Sequence, residues 1–214
     1  MNIHSLYQPF QRFFRKKTMN QFVDLFSVDE STRILDVGGN PFNWALISAQ
    51  PQVTMVNLAA PSEKSGAWMH FKWVIADAMH LPFKDNSFDI AYSNSVIEHL
   101  YSLENQQRFA GEIGRVGSRV YVQTPNKHFF IEPHLLTPLI HFFPQRIQRM
   151  LLRNFTVCGL VTRPSPQQCE HFLKEVRLLD RGDITHLFPD HKVIRERFLL
   201  FTKSFLVVSD PVLG

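Results

Sequence analysis

The stretch RILDVGGNPF, residues 33–42, constrains this chain more than any other. A short apolar run with β-branched residues ends in Asp36 and Val37, and Gly38 and Gly39 follow at once. A run of that length and composition reads as a buried strand. Two glycines directly after it mark a tight turn at which backbone can approach a ligand closely. Asn40 stands where phosphate-type loops usually carry more glycine. Asparagine is the non-glycine residue most tolerant of left-handed backbone, so a left-handed Asn40 is the expectation. Pro41 suits the first helical turn, where its missing N–H costs little, and FNWALISAQ beyond it has helical character. Strand, glycine turn and helix together have the geometry of a dinucleotide-type loop, with the helix N-terminus facing the bound group. Taken alone, the same residues also describe a strand-to-helix turn that holds nothing.

The rest of the chain repeats the alternation. VTMVNL (53–58), KWVIAD (72–77), SFDIAYSN (87–94) and SRVYVQTP (118–125) read as further strands. Residues 102–116 have helical period, with Phe109, Ile113 and Val116 on one face. Alternating strands and helices argue for a parallel sheet covered on both faces. Ahead of it, Phe10, Phe13, Phe14 and then Phe22, Leu25, Phe26 recur at spacings of three and four, interleaved with Arg12, Arg15, Lys16 and Lys17. This predicts an N-terminal helix or two, either packed over the core or presenting a basic amphipathic surface. Seven of the thirteen prolines fall from Pro125 to Pro189, so helices there must be short. RIQRMLLRNF (146–155) is one such helix, and DITHLFPD (183–190) another, after an aspartate cap. KVIRERFL (192–199) and KSFLVVS (203–209) read as a closing hairpin, which makes one strand antiparallel to the rest.

The expected fold is therefore α/β: a mostly parallel Rossmann-like sheet with an antiparallel closing strand, an N-terminal helix and a helical insertion after the fifth strand. As a single domain of 214 residues it divides into an N-terminal cover (1–30), a cofactor-binding core (31–125), an insertion or substrate lid (126–190) and closing strands (191–214). A net charge of +4 is too small to argue for nucleic acid. Cys158 and Cys169 match no metal-binding spacing, and no apolar stretch is long enough to span a membrane. Together with the lack of a signal-type segment, this points to a reduced, cytoplasmic setting.

One further stretch is specific. In VIADAMHLPFKDNSFDIAYSNSVIEHL (74–100), Asp77 closes the third strand, and the fourth runs into a helix carrying Glu98 and His99. In this order and spacing, ILDVGGNPF, IADAMHLPF and SFDIAYSNSVIEHL resemble the motifs of the class I S-adenosylmethionine-dependent methyltransferases that act on small molecules, over residues 30 to 125. The resemblance implies S-adenosylmethionine as cofactor. It implies that Asp36, Gly38, Gly39 and Asn40 line the methionine and ribose side, that Asp77 accepts from the adenine amine with the Ala78 backbone beside it, and that Asn94 and Ser95 sit near the methionine. Asn57 stands where most of the family has an acid paired to the ribose hydroxyls; an amide can still bond there, without the charge-assisted strength. Ser95 occupies a position where some relatives carry a carboxylate for a divalent ion, so no metal is expected.

Methyl transfer to a hydroxyl or a protonated amine needs a base. His99, Glu132 and His134 are the candidates, with Glu98 beside them; Pro133 restrains the backbone between Glu132 and His134. Adjacent Glu98 and His99 point about 100° apart on a helix, so they cannot face one spot equally. The acceptor is expected to be a small or lipid-linked molecule, apolar or anionic, with no nucleic acid partner and with peripheral membrane contact through the basic, apolar segments. A silent adenosyl-binding module and a nicotinamide-dependent oxidoreductase are the competing readings.

Overall fold

A computed structural model describes residues 3–60, 70–132 and 176–209, with isolated positions between 137 and 168. The chain opens with one long helix, α1 (Ile3–Phe26), whose described side chains are Arg12 and those from Arg15 onward. Phe10, Phe13 and Phe14 lie outside that set. Five parallel strands follow: β1 (Arg33–Val37), β2 (Gln52–Asn57), β3 (Lys72–Ile75), β4 (Phe88–Asn94) and β5 (Gly117–Pro125). A two-residue pair, β6 (Ile131–Glu132) and β7 (Thr137–Pro138), stands apart from them. The hairpin β8 (Lys192–Phe198) and β9 (Phe201–Val208) closes the main sheet.

The sheet order is β3-β2-β1-β4-β5-β9-β8. β9 inserts between β5 and β8 and is antiparallel to both, so it alone opposes the common direction. β1 is an interior strand, with Ile34 opposite Val53 of β2 on one side and Ile90 of β4 on the other. Strand order reverses beside β1, where the chain goes outward through β2 and β3 and then returns to β4. Open α/β sheets bind their ligands at such a switch point, beyond the carboxyl ends of the strands.

Strand alternation gives each face its own core. On one face Leu35, Ala91, Val120 and Val207 pack under α3 (Leu103–Val116), through Phe109, Ile113 and Val116. On the other, Ile34, Met55, Tyr92 and Tyr121 pack under the second half of α1, through Met19, Phe22 and Phe26. The Phe22 ring meets Tyr92 and Tyr121 edge-on at 5.1 and 5.0 Å. Full burial of such a side chain is worth about 2 to 3 kcal/mol, so the helical period of Phe22 and Phe26 does report packing, although Leu25 stays exposed.

Three local expectations change. FNWALISAQ forms only one helical turn, α2 (Pro41–Trp44), because Asn40 caps its start and Ala45 already ends it. IEH is a single 3₁₀ turn, Ile97–His99, rather than a helix. The last helix, α4 (Arg181–Leu187), begins two residues earlier than DITHLFPD suggests. Asp180 is its cap: its Oδ1 accepts from Asp183 N at 3.0 Å, and Asp183 Oδ2 accepts from Asp180 N at 3.2 Å. The reciprocal pair satisfies two helix-end donors at once. Arg146, Ile147, Gln148, Met150 and Leu151 of RIQRMLLRNF are helical, while its other residues and most of the proline-rich insertion lie outside the described residues, as do both cysteines. Among the described residues no helix is long and apolar enough to cross a membrane.

Candidate active site

A cavity of about 610 Å³ opens over the carboxyl ends of β1 to β4. Its floor is the loop after β1. Gly38 takes φ +76, and its N–H donates to Val56 O at 2.8 Å, folding the loop back over β2. A Cβ at Gly38 would lie 2.4 Å from Val96 Cγ2, and one at Gly39 only 1.8 Å from Asp36 Oδ2. Both positions therefore exclude any side chain, one by backbone conformation as well as by space.

Asn40 is not left-handed. It is extended (φ −145, ψ 161), and its Oδ1 accepts from Phe42 N at 3.0 Å. Gly38 supplies the left-handed residue, which frees Asn40 to cap the turn that Pro41 begins. That turn has four residues and carries no long-helix dipole, so backbone approach over the glycines, rather than a helix end, is what this loop offers a ligand.

Asp36 lies beneath the loop instead of lining the cavity. It is fully buried, with Oδ2 accepting from Trp44 Nε1 at 2.7 Å and Oδ1 without a hydrogen-bond partner. Burial pushes its carboxyl up to about 7; the Trp44 bond and the positive charge of Arg15 act against that rise.

The remaining polar groups follow strand order. Asn57, at the end of β2, donates Nδ2 to Gly39 O at 3.0 Å, which ties the loop down and leaves Oδ1 as an acceptor toward the cavity. An acid at this position would set two acceptors against each other across the same gap. Asp77, just beyond β3, accepts from Met79 N at 2.9 Å through Oδ1, an Asx-type turn that holds the carboxylate at the cavity wall beside Ala78. Past β4, Ser95 adopts φ 57, and its backbone N–H donates to Gln123 O at 2.9 Å. A left-handed serine is a strained position of the kind that gathers at functional sites.

The 3₁₀ turn separates Glu98 from His99. Glu98 is fully buried and accepts from Thr124 Oγ1 at 3.1 Å, while its carbonyl accepts from Arg177 N at 2.7 Å. It fastens the turn to β5 and to the segment before α4. His99 is exposed and lines the cavity beside Ser95. Asn94 Oδ1 accepts from Arg15 of α1 and from Ser95 Oγ, the latter at 3.2 Å, and Asn94 Nδ2 donates to Gln123. The backbone of Glu132 lies in β6, its side chain falls outside the described residues, and so does His134. The cavity thus gathers Gly38, Gly39, Asn40, Asn57, Asp77, Ala78, Ser95 and His99, and leaves Asp36 and Asn94 just behind its wall. Sequence reasoning assigned no part to Trp44 or Val96, because both act through neighbours that only the folded loop brings near. Arg15 stood out only as one of a group of basic residues.

Residues 29–119 match a family described as a methyltransferase domain. No curated protein matches the sequence significantly. Solved structures share the fold at low identity. Magnesium protoporphyrin IX methyltransferase from Synechocystis PCC 6803, with S-adenosylhomocysteine bound, is 10% identical at a TM-score of 0.57, covering 92% of this chain and 82% of that one. Geranyl diphosphate C-methyltransferase from Streptomyces coelicolor is 12% identical at 0.56, covering 92% and 76%. The N1-methyltransferase of 1,6-didemethyltoxoflavin from Burkholderia thailandensis is 11% identical at 0.54, covering 91% and 76%. The glycine loop, the strand order and the match over residues 29–119 agree on a Rossmann-like methyltransferase fold.

Proposed function

We propose that this chain transfers the methyl group of S-adenosylmethionine to oxygen or nitrogen of a small or lipid-linked acceptor. The observation that carries this reading is the order of polar groups along one cavity: Asp77, then Asn57, then the two glycines, then Ser95 with His99. That order matches an adenosyl ligand from base to tail. Asp77 takes the adenine amine beside the Ala78 backbone, and Asn57 Oδ1 takes a ribose hydroxyl. The backbone of Gly38, Gly39 and Asn40 runs under the sugar, and Asn94 and Ser95 stand at the methionine end. Asp36 supports the loop from below.

When bound, the cofactor would supply the methyl carbon as electrophile and its positive sulfur as the leaving group for the acceptor's lone pair. The chain's own part is to seat the acceptor in line with that carbon, to keep water out, and to offer a base for the acceptor's O–H or N–H proton. His99 is at the cavity wall and suits that role near neutral pH; Glu132 and His134 are the other candidates. In this division residues 31–125 hold the cofactor, 126–190 face the acceptor, and 1–30 and 191–214 complete the cover and the sheet.

Leu199 and Leu200 at the hairpin tip, with Phe201 beside them, are 78, 92 and 54% exposed, and exposed Arg197 adjoins them. An apolar tip next to a cation suits contact with an anionic membrane surface, from which a lipid-linked acceptor would be drawn. Calorimetric titration with S-adenosylmethionine, S-adenosylhomocysteine and NAD tests the cofactor reading. The first two should bind and NAD should not; NAD binding without either adenosyl ligand overturns it. Asn57 in place of an acid favours one alternative, a silent adenosyl-binding module. That alternative predicts adenosyl binding without formation of S-adenosylhomocysteine when cell-extract acceptors are supplied.

A further inference from the structure

Arg15 is the one basic residue of the α1 group that turns onto the sheet. Arg12, Lys16 and Lys17 are exposed, whereas Arg15 is half-buried and donates to Asn94 Oδ1 at the carboxyl end of β4. The neighbouring bonds fix the sense of that amide. Asn94 Nδ2 is committed to Gln123 Oε1, and Gln123 Nε2 to Glu196 Oε2 at 3.1 Å, so Asn94 turns its oxygen to Arg15. Thr18, one turn along α1, donates to Glu196 Oε1 at 2.9 Å and holds the helix on the same polar row. Among the described residues, a neutral amide is the only hydrogen-bond partner of the Arg15 guanidinium, and no carboxylate forms an ion pair with it. Asp36, the carboxyl whose charge interacts with it, is itself held up to about 7 by burial and offsets that charge only in part. A half-buried cation without an ionic partner is costly unless an anion completes it.

Its position says which anion. Strand order runs β3-β2-β1-β4, and the cavity follows it from Asp77 to Ser95. Arg15 stands at the β4 end, bonded to the residue next to Ser95 and charge-coupled to the carboxyl under Gly39. A ligand with its adenine at Asp77 ends there, and the tail of S-adenosylmethionine ends in a carboxylate. We infer that Arg15 leaves or shares Asn94 to bind the α-carboxylate of the cofactor's methionine tail, which makes α1 part of the cofactor site. This rests on the adenosyl reading above. The same guanidinium chemistry would serve an anionic group on the acceptor, and the experiment separates the two sources.

S-adenosylhomocysteine and 5′-methylthioadenosine share adenosine and sulfur, but only the first carries the carboxylate. In calorimetry, Arg15→Gln should lower affinity for S-adenosylhomocysteine about ten- to a hundredfold, the range for a lost hydrogen bond to a charged group. Affinity for methylthioadenosine should stay within twofold. Arg15→Lys should recover part of the loss, since it keeps the charge but not the fork; it carries the test if the glutamine variant melts early. Unchanged affinity for S-adenosylhomocysteine overturns the inference in favour of an acceptor anion. Equal loss of both ligands at an unchanged melting temperature overturns it in favour of a structural role. Wild-type protein that binds neither ligand overturns the adenosyl reading and this inference with it.

Discussion

Replacing Asp36 by asparagine should flatten the dependence of stability on pH between about 4 and 7. Asp36 is fully buried under the glycine loop, and its carboxyl is raised from 3.8 to about 7, chiefly by burial. A carboxyl whose folded value is raised stabilises the fold fully below its unfolded value. That contribution is lost as pH climbs through the folded value, because the unfolded chain ionises first. Roughly three pKa units at 1.36 kcal/mol each amount to about 4 kcal/mol lost between pH 4 and pH 7. Asparagine keeps the shape and an oxygen for the Trp44 Nε1–H bond, but has nothing to ionise. Urea unfolding of both proteins at half-unit steps from pH 4.5 to 8 measures the effect. Asp29, Asp89 and Glu112, whose carboxyls are all lowered by hydrogen bonds, titrate alike in both proteins and cancel in the difference. The difference in unfolding free energy should shift steadily toward the asparagine variant as pH rises, then level above about 7. Parallel curves would refute the reasoning and would mean that Asp36 reaches water or a cation in the folded protein.

Gly38→Ala places a side chain at φ +76 and 2.4 Å from Val96 Cγ2, so it should cost at least about 1 to 2 kcal/mol in thermal or urea unfolding; an unchanged midpoint would mean that the loop has another conformation. Asp77→Ala should weaken adenosyl-ligand binding by about 1 to 3 kcal/mol in calorimetry, and unchanged affinity would remove the adenine assignment. Leu200→Ser, at a 92% exposed position, should leave stability within about 0.5 kcal/mol and reduce sedimentation with anionic vesicles at low salt. Wild-type protein that does not sediment with them at all would dispose of the membrane contact.

The sequence by itself determined the strands and the loop. Ile34, Leu35 and Val37 in one run, then Gly38 and Gly39, leave little choice but a buried strand and a turn, because periodicity, branching at Cβ and the lack of a Cβ act within a few residues. The motif order from Asp36 to Asp77 to Ser95 was legible for the same reason. Tertiary structure decided what depends on distant partners. The hairpin was legible, but the insertion of β9 between β5 and β8 was not, since pairing depends on which buried edge is open when the hairpin arrives. Asn40 could be left-handed by its residue type; it is extended because Gly38 has already turned the chain. Glu98 and His99 are neighbours in sequence, and Thr124 and Arg177, 26 and 79 positions on from Glu98, draw one into the core while the other lines the cavity. Arg15 is one of four basic residues on a helix until the helix lies across the sheet. Only then does one of the four meet the end of β4, where short-range sequence rules carry no information.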